Sequence, residues 1–123
     1  MWFMDLSNTI FECTSVNNVH WDYKSSGSYD KYEKNAQKSG LEFEITREQF
    51  NAMAVSNCYY CCKPASSNSG SLGLDRADSA LPYVINNVVP CCGPCNIMKR
   101  EMSVSDFKKH CELIVSRFEL QEN

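Results

Sequence analysis

Two pairs of cysteines define the first chemistry this chain can do. Cys58-Tyr-Tyr-Cys61 and Cys92-Gly-Pro-Cys95 share the C-x2-C spacing and are separated by 30 residues. A two-residue gap lets both sulfurs of a tight turn face one ion, and two such turns complete a tetrahedron of thiolates around Zn²⁺. Gly93 and Pro94 supply turn chemistry inside the second pair. Four thiolates leave no open coordination position, so the zinc this pattern implies is structural. Its binding contributes on the order of 10 kcal/mol to folding. Cys62 and Cys91 adjoin the pairs and compete as ligands, but only Cys58, Cys61, Cys92 and Cys95 give both pairs the two-residue gap. The competing reading of the same cluster is buried or redox-active thiols.

The stretch that joins the knuckles carries a second pattern, LGLDRADSALPYVINNVVPCCGPCNIMKR. A C-x-Y-C knuckle, a strand ending in Asp75-Arg76, the run Asn86-Asn87-Val88-Val89-Pro90, and C-x2-C followed by Asn96 and Lys99 together resemble the HNH nuclease family. The preceding YEKNAQKSGLEFEITREQF is similar to the lead-in of many such domains, so the resemblance spans about residues 29 to 110. It implies an α+β fold, a zinc-stapled ββα-metal core with flanking helices, and metal-dependent hydrolysis of phosphodiester bonds in DNA.

Under that resemblance, Asp75 and Asn96 offer a carboxylate and an amide oxygen to a catalytic Mg²⁺ or Mn²⁺, hard donors suited to an ion that keeps several waters. The sequence departs from the family at one position: Arg76 stands where the usual member has its catalytic His. Arginine stays protonated and cannot accept a proton from water. Its planar fork suits the scissile phosphate instead. Tyr83 is then the candidate general base, acting through its phenolate. Asn87 is expected to orient the loop by hydrogen bonds, and Lys99 and Arg100, at the start of the following helix, to bind flanking phosphates. A catalytically silent zinc module that binds nucleic acid or protein is the alternative function. A thiol redox switch is a third reading.

The elements that must position these residues can be drafted from periodicity. Residues Tyr29 to Lys38 read as a helix stopped by Gly40. Leu41, Phe43 and Ile45 alternate with Glu42 and Glu44, the period of a strand. Thr46, with Gln49 three positions on, predicts a capped helix through about Val55. A Ser/Asn/Gly loop at 65–71 leads to a strand over Leu72–Arg76, then a second around Asn87–Val89 and a short helix from about Asn96. Ser103 and Asp106 resemble a cap for a last helix, whose apolar positions Phe107, Cys111, Ile114, Val115 and Phe118 predict a core-facing stripe.

At 123 residues the chain suits one domain, which we expect over 29–123 behind an N-terminal extension at 1–28. It has no apolar run long enough to span a bilayer, and MWFMDLSNTI lacks the basic start of a secretory leader. An intracellular location follows as an expectation, in the cytoplasm of a cell or of a virus-infected host. Cysteines clustered in tight pairs also suit metal binding better than a secreted disulfide framework. The formal net charge of −3 supplies no general affinity for phosphate, so a DNA-binding face must come from local basic residues. Double-stranded DNA is the expected partner, homodimerisation is compatible with the sequence, and the origin such compact nucleases suggest is a phage or mobile element. His20 and His110 fall outside the motif; Cys13 and Cys111 read as incidental thiols.

Overall fold

A computed structural model of the protein describes residues 27–121. Cys13, His20 and all but the last two residues of the expected N-terminal extension lie outside that range.

The first helix, α1 (Tyr29–Lys38), opens on Ser28, whose hydroxyl accepts the Lys31 N–H at 3.3 Å. It closes on Gly40, whose φ of 72° is the left-handed conformation that a side chain resists. The second helix, α2 (Arg47–Ala54), carries the full capping box, with Thr46 and Gln49 satisfying each other's backbone N–H groups.

The segment between these helices alternates in burial as its sequence does, but it forms one parallel bridge, Phe43 with Tyr83, in place of a strand. Glu44 N–H reaches Tyr83 O at 2.8 Å and Tyr83 N–H reaches Glu42 O at 3.0 Å. The ladder stops there for lack of a partner: Pro82 has no N–H to give, and the chain beyond Tyr83 curls into a 3₁₀ turn over Ile85–Asn87.

Among the described residues the sheet is one antiparallel hairpin of β1 (Gly73–Arg76) and β2 (Val88–Cys91), which pairs Asp75 with Val89 and Arg76 with Val88. The hairpin feeds α3 (Gly93–Lys99), giving the ββα order. This helix starts earlier than Asn96, because the second knuckle is itself its first turn: Cys92 is the N-cap and Pro94, with φ already helical, sits in the opening turn.

Two small cores flank the hairpin. One gathers Ile45, Phe50, Ala54, Leu74 and Val88, edged by Tyr29, Tyr32, Phe43 and Tyr83. Its aromatics meet edge to face, Tyr29 standing 5.4 Å from Phe43 and 5.7 Å from Phe50. The other gathers Cys58, Ala65, Leu72, Cys91, Cys92 and Cys95 around the knuckles. Asn68, fully buried, joins the loop at 65–71 to this second core by giving an N–H to Ser71 O and accepting the Gly93 N–H at 3.0 Å.

The last helix, α4 (Val104–Gln121), is capped by Ser103 as expected. Its apolar stripe is a correction to the sequence reading. Only Phe107 is buried, against the Tyr60 ring at 5.5 Å; Ile114, Val115 and Phe118 remain 45%, 53% and 58% exposed. A helix of 18 residues is about 27 Å long, and among the described residues the core meets it only near its start.

Candidate active site

The four sulfurs of Cys58, Cys61, Cys92 and Cys95 lie within 4.8 Å of one another. Cys61 and Cys92 are 3.7 Å apart, close to the edge of about 3.8 Å expected for a tetrahedron with Zn–S bonds near 2.3 Å. The first knuckle is closed by Cys62 N–H on Cys58 O, and it is fixed to β2 by Tyr59 N–H on Pro90 O, both at 2.9 Å. Hydrogen-bond donors also support the sulfurs: Cys92 N–H points at Cys58 Sγ at 3.3 Å, and the Lys63 ammonium stands 3.9 Å from Cys61 Sγ. Cys91 turns its thiol to Cys92 O instead.

Crowding shows in the thiol acidities. Hydrogen bonds from Cys61, Cys91, Cys92 and Cys95 hold Cys58 far below its ordinary value, and that sulfur in turn pushes Cys91, Cys92 and Cys95 far above theirs. Four thiols converging on one point, with their charge unresolved among them, are a donor set that a cation such as Zn²⁺ satisfies.

Beside this cluster lies a second constellation. Successive side chains of a strand face opposite ways. On β1, Leu74 turns into the aromatic core while Asp75 turns the other way, 6% exposed. The Tyr60 hydroxyl donates to Asp75 Oδ2 at 2.6 Å, and the Lys99 ammonium meets the same oxygen at 3.2 Å. Burial pushes the Asp75 carboxyl up from its ordinary value, against the pull of Tyr60 and Lys99. The Tyr60 hydroxyl is raised well above its own, by burial first and by the Asp75 charge second.

Lys99 is fully buried and gives a further hydrogen bond to Arg76 O at 3.2 Å. This corrects the expectation that it binds flanking phosphate from the start of the following helix. It ends α3 and points inward, its charge already matched by Asp75. Arg100 follows on the surface with φ 50°, unusual for a long side chain. Asn96, half-exposed, precedes Lys99 by three residues on α3, so the two share a helix face.

Tyr83 lies on the other side of the hairpin. Its ring packs 5.3 Å from Phe43 and 6.4 Å from Tyr32, with the Arg76 guanidinium 5.2 Å above it. Arg76 also donates through Nη1 to Ser79 O and Leu81 O, so it braces the 79–83 loop and the remaining N–H groups of its fork are left to meet a ligand. Asn87, 5% exposed, holds that loop from within: its Oδ1 accepts Asp78 N–H at 2.9 Å and its Nδ2 donates to Asp78 O and Pro82 O. Asp78 closes a local turn onto Ala80 N–H.

A residue that the sequence motifs do not single out for the site is Tyr60. Its signal was the third position of C-x-Y-C: a side chain next to a zinc ligand must face whatever the second knuckle brings, and the second knuckle brings β2 and α3.

No family model matches the chain. It is 33% identical over 108 residues to the uncharacterized protein R423 of Acanthamoeba polyphaga mimivirus, a match that takes in 87% of this chain and 20% of that one. The chain thus spans about a fifth of the relative's length. Among solved structures it superposes on the rare-cutting HNH restriction endonuclease PacI with a TM-score of 0.58 and 24% identity, covering 76% of this chain and 78% of the other. No helix among the described residues is long and apolar enough to cross a membrane. At 24% identity the likeness to PacI is one of architecture, and the architecture this chain shares is that of an HNH endonuclease.

Proposed function

We propose that the chain is a metal-dependent endonuclease that hydrolyses phosphodiester bonds in double-stranded DNA. The observation that carries this reading is the meeting of Asp75, Tyr60 and Lys99 at one oxygen, beside the ββα hairpin and helix of an HNH-like fold.

Zinc held by Cys58, Cys61, Cys92 and Cys95 is structural. Asp75 and Asn96 would hold Mg²⁺ or Mn²⁺, which would supply positive charge to the phosphate under attack. The residues do the rest. Arg76, stacked on Tyr83 and braced by two carbonyls, presents its remaining N–H groups to the scissile phosphate. Arg100, exposed beyond α3, contacts a flanking phosphate. Asn87 fixes the loop that carries this surface.

A tyrosine takes the proton from water, since Arg76 occupies the position of the usual His. Tyr83 is the candidate for that step, because the Tyr60 hydroxyl is spent as a donor to the Asp75 carboxylate at 2.6 Å and is held above its ordinary value, away from the phenolate. The ring of Tyr83 serves as the platform for Arg76.

The buried Asp75–Lys99 pair also favours a second reading, a silent zinc module whose carboxylate is spoken for. Nicking of supercoiled plasmid with added Mn²⁺ or Mg²⁺ separates them. Activity lost in Asp75→Ala and in Tyr83→Phe supports the enzyme as described. Activity kept in Tyr83→Phe removes Tyr83 from the base role. A zinc-loaded wild type inactive with every metal favours the silent module.

A further inference from the structure

Lys99 is the most deeply buried charge in the described chain, and the reading above gives it no task. We infer that Lys99 is a positioning residue: its ammonium, with the Tyr60 hydroxyl, clamps Asp75 Oδ2 so that the carboxylate meets an incoming divalent cation in one fixed orientation. The inference rests on the proposal that Asp75 holds that cation.

Several observations converge on it. An aspartate on a strand can rotate about two side-chain bonds, and rotation must be stopped if its oxygens are to serve a metal. Two donors on a single oxygen stop it, Tyr60 at 2.6 Å and Lys99 at 3.2 Å. The donors arrive from different elements. Tyr60 hangs on the first zinc knuckle, and Lys99 ends the helix that the second knuckle begins.

Lys99 also ties the end of β1 directly, through Arg76 O at 3.2 Å. The clamp therefore fixes both the carboxylate and the backbone that bears it. A long side chain with no exposure, spending its donors on one carboxylate and its neighbour's carbonyl, is costly to bury unless it is paired in this way. The zinc cluster then does more than staple the fold: it sets the two ends of the clamp.

Partners of metal-ligating groups typically change metal affinity or activity by roughly 10- to 100-fold when replaced. The test is Mn²⁺ binding to zinc-loaded protein, read from the electron paramagnetic resonance of the free aqueous ion, for wild type, Asp75→Ala, Lys99→Met and Lys99→Arg. Loss of binding in Asp75→Ala establishes Asp75 as the ligand; unchanged binding there overturns the reading on which the inference rests.

With Asp75 so established, Lys99→Met is expected to weaken Mn²⁺ by about 10-fold or more while zinc stoichiometry stays at one. Lys99→Arg keeps the charge but grips a carboxylate with a planar fork, and is expected to fold and still bind Mn²⁺ more weakly than wild type. Should Lys99→Met lose its zinc, Lys99→Arg alone decides. Wild-type affinity in the folded variants, or tighter binding in Lys99→Met because a repelling cation has gone, overturns the clamp.

Discussion

The hairpin is flanked by two cores of opposite construction. On one side, Ile45, Phe50, Ala54, Leu74 and Val88 pack beneath four aromatic rings, and the stabilisation is the removal of apolar surface from water. On the other, the buried residues are four cysteines with Ala65 and Leu72, too little hydrocarbon to hold a lobe. The first core can stand on packing, whereas the second, with four thiols converging on one point, is built to hold an ion. Asp75 lies on β1 of the hairpin between them, and both donors to its carboxylate come from the zinc side. The difference teaches a division of labour: the aromatic core sets the hairpin's place, and the zinc lobe sets the geometry of the candidate site.

The sharpest way to break the comparison is to remove the ion. Cys58→Ser, or stripping zinc with a strong chelator, is expected to cost on the order of 10 kcal/mol and to unfold the domain, read as loss of the cooperative thermal transition in circular dichroism. A metal-free protein that still melts cooperatively near the wild-type temperature would refute a zinc-dependent lobe. Phe50→Ala attacks the opposite core. The ring is 5% exposed and packs on Tyr29, so about 3–5 kcal/mol of stability is expected to go, with a lower midpoint in urea. Zinc stoichiometry should be unchanged under native conditions. Loss of zinc in Phe50→Ala would show that the two cores are one cooperative unit around the metal.

Much of this arrangement could be read in the sequence, and the exceptions share a cause. The bounds of α1, the Thr46–Gln49 box, the hairpin and the four-thiolate set are local signals: caps, a turn residue, spacing. What failed needed knowledge of a partner. The alternation at 41–45 marks a half-buried extended chain, but whether it becomes a strand depends on Tyr83 and Pro82 opposite. The α4 stripe has helical period and yet meets the core only at Phe107. Lys99 looked like a surface cation because lysine usually is one, and nothing in its neighbours announces Asp75, 24 residues away. Tyr60 and Tyr83 are alike in composition terms; only the fold puts the first on a carboxylate and the second under a guanidinium.

A smaller effect is expected where the cores hand over to the loop. Asn87→Ala removes the amide that caps Asp78 N–H and binds the carbonyls of Asp78 and Pro82, leaving buried groups without partners. The cost should be about 2 kcal/mol, from the unmet hydrogen bonds, with zinc retained. Because Arg76 is braced by Ser79 O and Leu81 O of the same loop, nicking should fall further than stability does. Equal activity at a temperature well below both melting points would detach the loop from the site.

The smallest effect belongs to a second ion pair, and it tests whether burial rather than charge makes the first one matter. Arg47 and Asp30 meet at 2.6 Å, shorter than Lys99 and Asp75 at 3.2 Å, yet their side chains are 64% and 67% exposed. Water already solvates both groups, ordering two side chains opposes the attraction, and salt screens what remains. Arg47 also lies over the Tyr29 ring at 4.6 Å, a contact that does not need the carboxylate. Asp30→Asn should therefore cost roughly 0–1 kcal/mol in low salt and nothing measurable in about 1 M salt, followed by urea unfolding at both ionic strengths. A larger, salt-resistant loss would mean that the α1–α2 pairing leans on this contact, and that the aromatic core is less self-sufficient than its packing argues.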